Sequence, residues 1–518
     1  MRTNLARRYL AGLAVAGAIL AVGAVPAAAQ EPPTRLGVYF LDTTIAAGSA
    51  GKLDSAILYA SKPVVLHEAT VRYDFTDLAG KVTIGEDDDR SRCTSPAANV
   101  LLCTVPYDIE VLDEWGLGGV FDVRITPEAG AKKGDEGVLK VTFGAAGFGT
   151  VTHDAKIRIG EGVDLAAGPD LDRSAAPGGK VSAPLTVRNA GSTTAKGASV
   201  IFFNDYAIRA TKHFSNCTYE GDKLRACHFE DALQPGNSYS AALTYALGTD
   251  TYAPSQAAGE TNWMTAAEFE DFAAYLASRG VDLGKPGNDG ELTLAGVAGA
   301  KARGLQADTD PTNNWSSLQV TVTGKNGVDL AAVGDTVTGK AGDVVKVTVG
   351  VGNNGPATLD FGRSGSPVTK VDVAIPNGTT AVAVPNVCQP RKADGEGDWE
   401  KSGEPGHRSY RCYPDTFLPV GEQQTFEFEL RIDKVIVDAA GSVTINAKCT
   451  CGGGLDADLD PSNDVAKLLV NPGEGGGGGG LPVTGAATGI VAGVGGLLLA
   501  AGAVGFVLAR RRRMRFVA

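Results

Sequence analysis

The 518 residues carry 59 acidic and 47 basic side chains, for a net charge of −12 with histidine neutral. An acidic surface of this kind disfavours nucleic acid and anionic polymers as partners and supports solubility. There are five histidines with none in a metal-spaced pair, no G-x-S-x-G elbow and no phosphate loop, so a chain without enzymatic activity or cofactor is expected.

Arg2, Arg7 and Arg8 form a basic region ahead of the apolar run Tyr9 to Val25, and Ala27-Ala28-Ala29 supplies the small residues of a cleavage site. Residues 1–29 therefore read as a signal peptide cut after Ala29, with Ala27 and Ala29 recognised by signal peptidase. The secretion translocon is then a partner of the precursor. Arg7-Arg8 fits a twin-arginine signal in part, but Leu10 stands where that motif usually carries Phe, so the general secretory route is expected.

The middle of the chain repeats itself, in units at 33–160, 161–323 and 324–472. The second unit opens with Val181, Ala183, Leu185 and Val187 alternating with polar residues, the third with Val345, Val347, Val349 and Val351. Period-two alternation closed by turns such as Asn189-Ala190-Gly191 and Asn354-Gly355-Pro356 predicts half-buried antiparallel strands. Further on, Leu233-Gln234-Pro235-Gly236 and Leu418-Pro419-Val420-Gly421 each launch another strand. The clearest has Phe426, Phe428, Leu430 and Ile432 on one face, with Glu427, Glu429 and Arg431 on the other. The second and third units each close on an Asp-Pro-x-Asn loop, at Asp310 to Asn313 and at Asp460 to Asn463. The first unit is diverged and lacks that loop. Short strands, frequent Gly and Pro turns and little helix predict an all-β fold of three tandem β-sandwiches.

Eight cysteines in an exported chain point to disulfides. Cys93 with Cys103 and Cys217 with Cys227 have the same spacing at matching places, which predicts a bridge within a hairpin. Cys388 and Cys412 hold the equivalent place around a longer loop. Cys449 and Cys451 are two apart, where a direct bridge is strained; cross-pairing with Cys388 and Cys412, or a four-cysteine zinc site, stays open at this point.

The second unit carries an apparent insertion at 249–303 with the one convincing helix of the mature chain. Thr265 and Glu268 form a capping box, Met264 and Phe269 a hydrophobic staple, and Gly280 ends the helix. Its stripe of Phe269, Phe272 and Leu276 is expected to pack on its own sandwich, with a partner-binding face as the alternative. The helix and the loop from Lys392 to Gly406 are the places to look for an unknown surface ligand. In the third unit, Asp456, Asp458 and Asp460 have the alternate spacing that gathers oxygens on calcium, but Pro461 and Lys467 stand where an EF-hand loop needs Gly and a ligand. Asx-turns explain the same residues, and no metal site is assigned beyond these candidates.

After a Gly-rich linker at 473–480, the chain reads Leu481-Pro482-Val483-Thr484-Gly485, then the uncharged run 486–509, then Arg510 to Arg513. As a helix, that run spans the ~30 Å core of a bilayer, and the arginines hold its end inside. This order of parts resembles the L-P-x-T-G cell-wall sorting signal of Gram-positive surface proteins. The resemblance implies that sortase cuts between Thr484 and Gly485 through an acyl-enzyme and transfers Thr484 to peptidoglycan, after a transient stay of the precursor in the plasma membrane. Removing three arginines with the leader and five with the tail takes the net charge from −12 to −20 for the wall-linked chain 30–484. The repeats over 33–472 resemble the Ig-like conserved repeats of bacterial surface proteins, including adhesion-related ones. Together these imply a secreted, wall-anchored protein that displays β modules for structural, adhesive or binding roles. The alternative is a surface hydrolase, glycosidase-like, with a hidden carboxylate pair.

Overall fold

The computed structural model describes residues 34–87, 91–111, 117–296, 304–446 and 458–473. Among these the chain is mostly β-strand, with one α-helix, Ala266–Ser278. Three buried apolar clusters lie along it, over 40–159, 163–322 and 328–468.

One six-strand order recurs beside all three clusters. In the first it is Thr43–Ala46, Val151–Val163, Glu136–Gly144, Thr70–Asp74, Val100–Thr104 and Arg92–Ala97. The second has Leu171–Ala175, Trp315–Asn326, Ala253–Met264, Ala195–Phe202, Lys223–Leu233 and Cys217–Glu220. The third has Asp335–Val337, Val465–Val470, Ala439–Ile445, Val371–Ala374, Ser409–Cys412 and Cys388–Pro390. In each sheet the first-named strand runs parallel to its neighbour and the other pairs are antiparallel. Smaller sheets complete each unit; in the third, Val328–Val333, Val344–Pro356, Gln423–Ile432 and Thr379–Ala383 form one four-stranded sheet. The result is a tandem of Ig-like β-sandwiches.

Alternation builds these sheets as the sequence predicts. Along Gln423–Ile432, Phe426, Phe428, Leu430 and Ile432 are buried while Glu427 and Arg431 are exposed. Burying one such side chain contributes about 1.5–3 kcal/mol. A buried asparagine then fixes the same turn in two units. Asn353 donates through Nδ2 to the carbonyls of Ala357 (2.8 Å) and Leu418 (2.9 Å), and its Oδ1 accepts from Gly355 N (2.8 Å). Asn189 does the same with Thr193, Leu233 and Gly191. The residue that matches Asn189 is therefore Asn353, whereas Asn354 is exposed.

Cys93–Cys103, Cys217–Cys227 and Cys388–Cys412 are bonded. Each pair sits directly opposed on the last two strands of the shared six-strand order. The Cys388–Cys412 bond removes the cross-pairing alternative. Cys449 and Cys451 lie outside the described residues.

The stretch 249–303 is not all insertion. Ala253–Met264 is an internal strand of the second sheet, the counterpart of Ala439–Ile445 in the third. Its small residues hide the alternation, and Gly259 is needed because Asn204 Oδ1 occupies the place of a Cβ there. The added part begins with the helix.

Candidate functional site

The acidic loops are clasps. Asp458 Oδ2 accepts from Leu330 N (3.0 Å) and Asn446 Nδ2 (2.9 Å), and its Oδ1 accepts from Asp460 N (3.0 Å). Asp460 caps the short turn Pro461–Asn463 through Ser462 N, and Asn463 reaches Asp329 Oδ1 at 2.7 Å. The second unit repeats this plan, with Asp308 holding Leu165 N (2.7 Å) and Asp310 N (2.8 Å), and Asn313 reaching Asp164 (3.1 Å). Each loop thereby ties the end of a unit to its first strand. Burial pushes the Asp308 carboxyl up to about 6 and raises that of Asp458. Both carboxylate oxygens of Asp458 and Oδ1 of Asp460 already accept from N–H donors, and Asp456 lies outside the described residues. Among the described residues no group of three or more His, Cys, Asp and Glu could hold a metal.

The helix joins the first two units. Thr265 and Glu268 form the capping box read from the sequence, and Phe269 packs with Ile201 and Ala226 of its own sandwich, alongside Met264 and Phe272. Its other side meets the first unit. Asp271 accepts from Thr44 Oγ1 (2.8 Å) and is paired with Arg158; Lys52 Nζ meets Glu268 at 3.0 Å; the Arg279 guanidinium lies 3.6 Å from the centre of the Tyr59 ring. Burial lifts Asp271 and Asp54 to about 6. Both border a cavity of about 190 Å³ with Lys52, Glu268 and Trp315.

The second and third units meet through Arg363 and Asp250. Arg363 pairs with Asp205 and with Glu260 (2.9 Å), and donates to the carbonyls of Phe203 (2.6 Å) and Ala258 (3.1 Å). Asp250 accepts from Tyr206 Oη (2.8 Å), Arg209 Nη2 (2.6 Å) and Thr358 Oγ1 (3.0 Å). The Phe417 ring meets Tyr206 edge-on at 5.0 Å. This junction leaves a cleft of about 750 Å³, within the size range of small-ligand sites. Its walls come from the loop after Ala195–Phe202, from Glu220 to Arg225 in the disulfide-bridged hairpin, and from Asp360 to Arg363 of the third unit.

The groups on these walls differ in how far they are already engaged. Asp205 holds Arg363 and Ala258 N, and burial raises its carboxyl above the ordinary range. Asp360 accepts from Tyr206 N (3.1 Å) and Gly362 N (3.0 Å). Arg225 faces Glu220 at 3.9 Å. Neither the helix nor the loop from Lys392 to Gly406 lines this cleft, and nothing in the sequence pointed to it.

Leu481 to Gly485, the run 486–509, Ala27 and Ala29 lie outside the described residues. Among the described residues no helix is long and apolar enough to cross a membrane.

No family model and no curated protein matches the chain. Among solved structures it is similar to a cohesin module of a Clostridium perfringens family 33 glycoside hydrolase: 15% identity, 25% of this chain and 99% of that one, TM-score 0.19. A tandem from titin matches at 9% identity, covering 84% and 98% of the two chains with a TM-score of 0.13. The Enterococcus faecalis MSCRAMM ACE, described as binding its ligands by the collagen hug model, matches at 11%, covering 55% and 94% with a TM-score of 0.16. At these scores the likenesses carry no argument, and the fold assignment stands on the strand order above.

Proposed function

We propose that this is a secreted protein anchored covalently to peptidoglycan through Thr484, which displays its β-sandwiches for adhesion or ligand binding. The observation that carries the reading is the order of parts in the sequence: Leu481 to Gly485, an uncharged run long enough for a bilayer, then four arginines. The folded part is consistent with display. Its disulfides suit an oxidising exterior, the junctions brace one unit on the next, and the cleft offers a place for a ligand. Sortase and the wall precursor act on this chain, which supplies the cleaved carbonyl and no catalyst. Thr484→Ala should move the protein from the fraction released by wall-digesting enzyme to the membrane or the medium. Unchanged release from the wall would refute the anchor.

A surface hydrolase is the second reading, and it would use Asp54 and Asp271, both lifted to about 6 beside one cavity. Each already has a partner, however: Thr43 Oγ1 and Ser55 N for Asp54, Thr44 Oγ1 and Arg158 for Asp271. A network so engaged favours a structural joint over an acid pair waiting for substrate.

A further inference from the structure

In every unit a strand near the start is hydrogen-bonded in parallel to the last strand. Thr43–Ala46 pairs with 157–160 in the first unit, Leu171–Ala175 with 318–322 in the second, and Asp335–Val337 with 468–470 in the third. Parallel strands point the same way. A pull on the start of the first strand and on the end of the last therefore acts at opposite ends of the pair, along its length. The evenly spaced hydrogen bonds of a parallel pair then carry the load together. Antiparallel strands in the same places would be pulled from one shared end and would part bond by bond.

The load reaches these pairs with little slack. One residue, Asp164, separates Val151–Val163 from the next unit's Leu165–Ala167, and one, Gly327, separates Trp315–Asn326 from Val328–Val333. Both connections are strapped by parallel pairing as well, 161–163 with Gln306–Asp308 and Val328 with Asp458. The Asp308 and Asp458 clasps hold Leu165 N and Leu330 N just beyond them. The disulfides stand on the last two strands of the six-strand order, away from the parallel pair. They leave the clamp alone and limit how much chain is released once it gives way.

We infer that the three sandwiches are load-bearing links in series, each locked by its parallel pair against a pull along the chain. The inference rests on the display reading, because a chain fixed to the wall at one end and holding a ligand at the other is under tension. Forced unfolding is set by the unfolding rate, so resistance depends on where the force enters a unit as well as on its equilibrium stability.

The test is single-molecule force spectroscopy of the purified mature chain, held at its N-terminus and pulled either at its C-terminus or at a handle on Ser462. Ser462 is exposed and lies just before Val465–Val470. A pull there loads the third unit's parallel pair from one end, and leaves the first two units loaded as before. The third unit is recognised by its disulfide: reduction frees a loop with a separation of 24 residues, about 80 Å of extended chain, against about 35 Å for separations of 10 in the other two. Moving the handle should lower the third unit's rupture force at least twofold. Val337→Pro, pulled at the C-terminus, should do the same. Val337 O accepts from Asn471 N at 2.8 Å, so the N–H that proline removes faces the last strand too. Thr336→Pro should leave the force unchanged, because the Thr336 N–H is turned to Asp335 Oδ1 at 2.7 Å. Equal rupture forces at the two attachment points would overturn the inference, as would a Val337→Pro unit no weaker than the Thr336→Pro one. The comparison of attachment points alters no residue of the paired strands, so it stands even where a proline variant fails to fold. None of these outcomes depends on wall attachment, which the Thr484 variant tests separately.

Discussion

Replacing Asn353 by Ala should destabilise the third sandwich by about 3 kcal/mol, because one side chain makes three buried hydrogen bonds. Asn353 is 1% exposed. Alanine leaves the Ala357 and Leu418 carbonyls and the Gly355 N–H without that partner, at roughly 0.5–1.5 kcal/mol net for each bond. For a unit near 150 residues, about 3 kcal/mol corresponds to a fall of roughly 10 °C in Tm. Differential scanning calorimetry should show that fall in the third unit's transition. The control is Asn354→Ala. Its exposed side chain makes one long bond, 3.3 Å to Asp329, so its effect should stay below ~0.5 kcal/mol. Equal effects of the two substitutions, or a shift under 2 °C for Asn353→Ala, would refute the assignment of the turn to the buried asparagine.

Asp54, Asp271 and Asp308 sit at about 6 in the folded chain against an ordinary 3.8, raised by burial. Between pH ~4 and ~6 the folded state holds protons that the unfolded state has released, so stability falls as pH rises through that window. The first two units should therefore melt higher at pH 5 than at pH 7, and a lower Tm at pH 5 would contradict this sign. Asp458→Ala removes three accepted hydrogen bonds and should cost about 2 kcal/mol with or without calcium. A calcium-dependent rise in Tm that this substitution abolishes would restore the cation reading.

Much of the β framework was legible in the chain, because burial on one face leaves a period of two in residues such as Phe426 to Ile432. The hairpin cysteines were legible for a related reason, since Cys93, Cys217 and Cys388 stand at matching places before their partners. The capping box at Thr265 was equally local. What the sequence could not disclose was which surfaces meet. Phe269 faces its own sandwich as its stripe implies, but Asp271 on the same helix and Arg279 at its C-cap find Arg158 and Tyr59 more than 100 residues away. The strand Ala253–Met264 is not legible in the sequence because Ala and Gly carry no alternation when neighbours supply the bulk. Asn353 and Asn354 are indistinguishable in the sequence, and only burial separates the turn-forming one from its exposed neighbour. The cleft joins Phe203, Lys223 and Arg363, and only the placement of two units makes it.

The most direct measurement is mass spectrometry of the C-terminal peptide of native protein released from walls by a peptidoglycan hydrolase. Ending at Thr484 with a wall fragment amide-linked to its carboxyl is the outcome the account requires. Mature protein that retains Arg510 to Arg513 and carries nothing on Thr484 would contradict it.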